Sequence, residues 1–306
     1  MEKSPNIKIF VIHFNNPEFI YEDDVFIPIQ AWKKNSKIDL WILWDDTWDN
    51  ISEKNSSYAE LTAQYRVWKN FDLFNVDYIG FCHYRRYMTY YYRPNFFGYL
   101  FAKNFYSSTE NRNPFTWRFS SLKEYNYLTK FNRDKLKHNT KNIKSFIKNN
   151  QFDVYTPKRE VFIIWKLLTF LWMNCWSTEC FGFLHEWELK QMCENLFISM
   201  YPEYSNIWDD VIQEGKKYYP LHRHIFIMKK DLFNLYAKYM FDYLFTLENK
   251  IKALNLDVSN VYWDNKRFMW TLAECLINYW LHYMRKKYDI EILSKANKIM
   301  FTEYYI

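Results

Sequence analysis

The sequence predicts an α/β fold with a mostly parallel central sheet flanked by helices, a helical insertion and a helical carboxyl-terminal part. Two observations carry this: strand-like and helix-like runs alternate over the first 90 residues, and long helical patterns dominate the carboxyl-terminal part from about 231 to 306. The stretches 7–14 (IKIFVIHF) and 38–44 (IDLWILW) are apolar, β-branched and aromatic, and polar or turn residues bound them, so both read as strands. Between 56 and 70, Leu61, Tyr65 and Trp68 are spaced for one helix face after a serine start, and a strand at 77–82 follows.

Residues 91–150 lose this order and read as an excursion, a lid or an acceptor platform, with a helix near 133–149. Beyond it come a strand from 152, a helix over 183–201 and a strand over 222–230. A helix with Asp231 as its N-cap then runs to about Glu248, and a last long helix spans about Arg267 to Lys287. One elaborated domain over 1–306 is the expected organisation.

The chain has 306 residues, 49% hydrophobic and 25% charged, with 4 Gly and 8 Pro, which excludes disordered and collagen-like classes. Aromatic residues make up 22%, a surplus suited to a core, to stacking on flat ligands or to a membrane interface. The 5 Cys are scattered without zinc-site spacing and read as reduced thiols in a cytoplasmic protein. No secretion signal is expected. The apolar stretch 161–176 holds Lys166 and falls short of the ~20 residues a spanning helix needs, so it reads as core or as a peripheral membrane contact. A net charge of +6, dispersed along the chain, suits anionic small ligands better than nucleic acid.

Three places carry candidate chemistry. His83, Tyr84, Arg85 and Arg86 directly follow a strand, where ligands of parallel sheets bind, and an arginine fork suits phosphate oxygens. Asp45, Asp46, Asp49, Asn50, Ser52, Glu53 and Asn55 follow the strand 38–44 and suit a divalent cation, ribose or sugar hydroxyls, or plain helix capping. Glu274 sits inside an apolar helix, where a carboxylate is costly unless it is paired or functional. His13 ends the first strand, and His222, Arg223 and His224 begin a later one, so all can face one cleft. Glycine-rich phosphate loops, zinc-binding HExxH and GxSxG elbows are absent from the sequence.

The runs 49–70 (DNISEKNSSYAELTAQYRVWKN), 77–88 (DYIGFCHYRRYM), 225–248 and 267–281 together resemble a bacterial capsular and exopolysaccharide synthesis family. That family, long labelled a domain of unknown function, includes galactofuranosyltransferases. The resemblance implies a GT-A-like nucleotide-sugar-binding fold and transfer of a hexose from a UDP-sugar to a growing capsular, exopolysaccharide or lipopolysaccharide glycan. Galactofuranose is the first choice of sugar and galactose the next. Alternatives are a non-catalytic nucleotide- or glycan-binding homologue and a sugar-phosphate transferase. The expected partners are a UDP-sugar donor and a glycan or lipid-linked glycan acceptor, at the inner face of the plasma membrane if the peripheral contact holds.

Carried over residue by residue, the matching positions are Asp49, Asn50, Ser52, Asn55, Glu60, Thr62, Trp68, Lys69, Asn70, His83, Tyr84, Arg85, Arg86, Arg267 and Glu274. Asp49 and Glu274 become the candidate catalytic bases. His13, Asn50, Asn55, Glu60, Lys69, Asn70, His83, Tyr84, Arg85 and Arg86 are assigned to the donor, and His224 and Arg267 to the acceptor or pocket. No metal ligand is assigned: the arginines with His83 are expected to replace a cation on the leaving diphosphate, with manganese or magnesium the alternative. The sequence departs from the family where Trp48 and Trp270 replace expected glycines, His224 an asparagine and Cys275 an arginine.

Overall fold

The computed structural model describes residues 4–14, 17, 20–70, 75–84, 86–89, 133–157, 187–207, 224–258 and 267–301. The first strand, β1 (Ile7–His13), has parallel neighbours on both sides, β2 (Phe26–Gln30) and β4 (Tyr78–His83), and β2 in turn pairs in parallel with β3 (Leu43–Trp44). This half of the sheet is the parallel one predicted from the alternating runs.

Beyond β4 the sheet turns mixed. β5 (Arg86–Thr89) and β7 (Phe226–Lys229) run antiparallel to β4, β6 (Val154–Pro157) pairs with β7, and β8 (Ile292–Phe301) joins β5 to β6. The order is β3-β2-β1-β4-β5-β8-β6-β7 with a further β4–β7 pairing, so the second half returns to β4. At the crowded centre, a Cβ on Gly80 would stand 2.9 Å from the Phe226 carbonyl oxygen and 2.8 Å from Ile227, so only glycine fits there without displacing a neighbour.

The strand period of two sends alternate side chains to two cores. Phe10, Ile12, Ile79 and Phe81 pack against α2 (Leu61–Lys69), α4 (Trp187–Met200), α5 (Lys230–Ala253) and α6 (Phe268–Tyr288). Ile9, Val11, Tyr78 and Cys82 pack on the other face against Leu136, Ile143 and Ile147 of α3 (Arg133–Asn150). Helices therefore cover both faces, as an α/β sheet requires.

Three expected elements differ in detail. The strand expected over 38–44 shrinks to two residues, because the Gln30 amide engages the Ile38 carbonyl at 2.7 Å and the Leu40 N–H at 3.0 Å, and Trp41 takes a left-handed φ of 55°. The helix expected over 56–70 is broken at Ala59 (φ 47°) into α1 (Asn55–Tyr58) and α2. Asp231 lies in the first turn of α5, whose N-cap is Lys229.

Arg85, the 161–176 stretch and the part of the excursion over 90–132 lie outside the described residues, as do His222 and Arg223. Among the described residues, no helix is long and apolar enough to cross a membrane. Cys82 and Cys193 are buried, and burial pushes the Cys193 thiol up to about 12.

Candidate active site at the amino end of helix α2

The two sheet pairings of β4 decide which sequence candidates meet. Ile12 of β1 stands beside His83 and Arg86 of β5 pairs with it on the other edge, while the β4–β7 register ends at Phe81↔Phe226, two residues short of His224, which lies near enough for the His83 charge to act on it. His83 follows the parity of Phe81, toward the face covered by α2, α5 and α6. His224 adopts a left-handed φ of 47°.

Glu60, the N-cap residue of α2, reaches this edge: its Oε2 lies 3.1 Å from His83 Nε2. The carboxylate is 3% exposed. Burial pushes its pKa up, but the nearby His83 and His224 rings and the Trp270 indole outweigh burial and hold it below the usual carboxylate value. Ionised, Glu60 can only accept, so His83 Nε2 carries the proton between them. Burial lowers the pKa of His224, and Glu60 and Glu274 oppose that shift. The Tyr236 hydroxyl of α5 sits 3.5 Å from His224 Nδ1. Burial, then the Glu274 and Glu60 charges, hold Tyr236 well above a normal phenol.

A carboxylate–imidazole cluster drawn from β4, α2, α5, α6 and the segment before β7 thus lies at the carboxyl edge of the parallel strands, where open α/β sheets bind ligands. Glu274, 8% exposed on α6, belongs to it through its action on His224 and Tyr236. It brings together two acids and two imidazoles, a set able to accept and pass a proton out of bulk water. Sequence reasoning did not single out Tyr236 or Gln64; the one signal for Gln64 was a polar residue four positions after Glu60 in a helix whose neighbours are apolar.

The remaining candidates separate from this cluster. His13 is fully buried on the opposite face, its ring 5.6 Å from that of Tyr84, and burial drives its pKa down to about 3. Asp49 sits at the far end of α2, about 13 Å along the helix axis by its rise per residue. There it accepts from Tyr65 Oη at 3.2 Å and lies 3.8 Å from Lys69 Nζ, and Asn70 Nδ2 donates to its carbonyl at 3.0 Å.

Asn50 bonds the Asp46 and Trp48 carbonyls, and Asn55 bonds Ala59 O and Thr62 Oγ1, so both amides hold loop and helix ends. Asp45, the buried acid of that run, accepts from the Trp32 and Lys33 N–H groups, Ser52 Oγ and Thr62 Oγ1. Arg267 is the exposed N-cap of α6. Arg86 contributes its backbone to β5, and its side chain is outside the described set. Among the described residues, no group of three or more His, Cys, Asp or Glu is arranged to hold a metal ion.

Of solved structures, the chain is similar to the apo structure of the bifunctional glycosyltransferase WbbM, with a TM-score of 0.71 at 24% identity. The match covers 98% of this chain and 46% of that one, so this chain spans less than half the length of that protein. The shared fold is the mixed α/β sheet between helical layers described above. No curated protein matches the chain. Residues 8–287 match one family model, and on that match the chain belongs to the family described as a domain of unknown function, DUF4422.

Proposed function

We propose that the chain is a glycosyltransferase that moves a hexose, galactofuranose first and galactose next, from a UDP-sugar to a growing capsular, exopolysaccharide or lipopolysaccharide glycan. The observation that carries this reading is the buried Glu60–His83 pair with His224 and Glu274 at the carboxyl edge of the parallel strands. The fold shared with a glycosyltransferase structure supports it.

In the reaction, an acceptor hydroxyl attacks the anomeric carbon while the bond to the diphosphate breaks, its electron pair leaving with UDP. The hydroxyl's proton passes to a carboxylate on the opposite face. Glu274 is assigned that role over Asp49, because it is buried within the imidazole cluster while the Asp49 side chain is 51% exposed beside Lys69. Arg85 and Arg86 meet the charge that develops on UDP, His83 being engaged with Glu60, and no metal is required.

The test is a thermal-shift panel with UDP, UDP-galactose, UDP-galactofuranose, UDP-glucose, GDP and CMP, each in EDTA or manganese. A ligand at 100 times its Kd adds about 2.7 kcal/mol of stability. Stabilisation by the UDP compounds in EDTA is the expected outcome. No response to any nucleotide contradicts the reading, and a strict need for manganese contradicts its metal-free part.

A further inference from the structure

Five buried polar atoms without a hydrogen-bond partner among the described residues belong to Glu60 and the residues grouped with it: Glu60 Oε1, both amide atoms of Gln64, His224 Nε2 and Trp270 Nε1. Glu60, Gln64 and His224 are 3%, 0% and 1% exposed. Gln64 follows Glu60 by one helical turn, its N–H bonding the Glu60 carbonyl at 3.3 Å, so the two side chains share one face of α2. His224 acts electrostatically on the Glu60 carboxylate and the Trp270 indole N–H is directed toward it, which brings residues from three separate parts of the chain to one place. Folded proteins pair nearly all such atoms, and orphans grouped on α2, α6 and the segment before β7 call for an explanation.

Their chemistry is specific. Glu60 Oε1 accepts, the Trp270 indole donates, the Gln64 amide does both, and His224 Nε2 does one or the other by tautomer. Hydroxyls on neighbouring ring carbons, each a donor and an acceptor, match that alternation. A phosphate, which only accepts and is anionic, does not, because Glu60 and the neighbouring Glu274 repel it. We infer that Glu60, Gln64, His224 and Trp270 form a subsite for the hydroxyl face of a neutral sugar ring. The inference rests on the glycosyl-transfer reading for which sugar this is, namely the hexose of the donor. The diphosphate then lies outside this acidic subsite.

The experiment is a titration of the full-length, 15N-labelled protein with methyl β-galactofuranoside, methyl β-galactopyranoside and inorganic pyrophosphate. The Trp270 indole resonance is the readout, assigned by its loss in Trp270→Phe. At least one glycoside is expected to shift it, pyrophosphate is not, and Gln64→Leu is expected to weaken glycoside binding about 10-fold, the loss of a hydrogen bond. If Gln64→Leu fails to fold, calorimetry on Trp270→Phe supplies the same comparison.

A resonance unmoved by both glycosides means that internal water satisfies these atoms and overturns the inference, as does a shift with pyrophosphate alone. Parallel assays of UDP-sugar turnover separate the two claims. Glycoside binding here without turnover of any UDP-sugar sinks the transfer reading and leaves the subsite standing. Turnover with an unmoved Trp270 does the reverse.

Discussion

The two ends of helix α2 are nine residues apart and differ in every property that matters for chemistry. At the amino end, Glu60 is buried, pairs with His83 at 3.1 Å and shares its surroundings with His224 and Trp270. At the carboxyl end, Asp49, Lys69 and Asn70 meet at the surface and tie the helix to the loop after β3. Both ends hold an acid and a potential cation, so residue type alone does not separate a reaction centre from a cap. Desolvation does, because it magnifies each charge's effect on its neighbours.

The sharpest way to break this comparison is to exchange the acids for amides. Glu274→Gln is expected to lower turnover of the UDP-sugar by about 10²–10⁴-fold, the usual share of general-base catalysis, with the melting temperature little changed. Two buried histidines, His13 and His224, are each held below the ordinary imidazole value by burial, and His13 shows the consequence for acid stability. Unfolded, the His13 ring binds a proton below its ordinary 6.5; folded, burial delays this to about 3. Acid in that window therefore favours unfolding, and stability rises with pH from about 3 to 6.5 at roughly 1.4 kcal/mol per unit, discounted for any relaxation of the site. His13→Leu should flatten this slope in pH-dependent denaturant melts, and an unchanged slope would place the acid sensitivity elsewhere.

A smaller effect is expected at Asp45, which takes part in the loop and not in the cluster. Asp45→Asn leaves hydroxyl and N–H donors less well satisfied and should cost about 1–3 kcal/mol in chemical denaturation while sparing ligand affinity. The least effect belongs to Lys69→Met at the exposed end, within about 0.5 kcal/mol, as for surface ion pairs generally. A loss of several kcal/mol there would erase the distinction between the two ends.

Much of the sheet is legible in the sequence where β-branched and aromatic runs are continuous, as in β1 and β4. β2 is not, since Pro28 interrupts a five-residue strand, and β8 is not, since its ten residues lack alternation and depend on pairing with β5 and β6. The site was legible as residues and not as a grouping: Glu60, His83, His224 and Glu274 are each visible in the chain, but it takes the pairing of β4 with β7 to bring the segment before β7 to the end of β4 where Glu60 and His83 meet.

Two departures from the family pattern acquire a physical reason. Trp48, where a glycine is expected, has φ 57°, and His224, where an asparagine is expected, has φ 47°. Glycine and asparagine are the residues that enter this left-handed region most readily. Trp48 is held there with the Arg66 guanidinium 4.5 Å from its ring centroid.

The most direct test of the account is a comparison of UDP release from UDP-galactofuranose and UDP-galactose by the unaltered protein, Glu274→Gln and Asp49→Asn under one set of conditions. The account predicts release by the unaltered protein, its near loss in Glu274→Gln and its retention in Asp49→Asn. Loss in Asp49→Asn with retention in Glu274→Gln would move the reaction to the exposed end of α2 and contradict it.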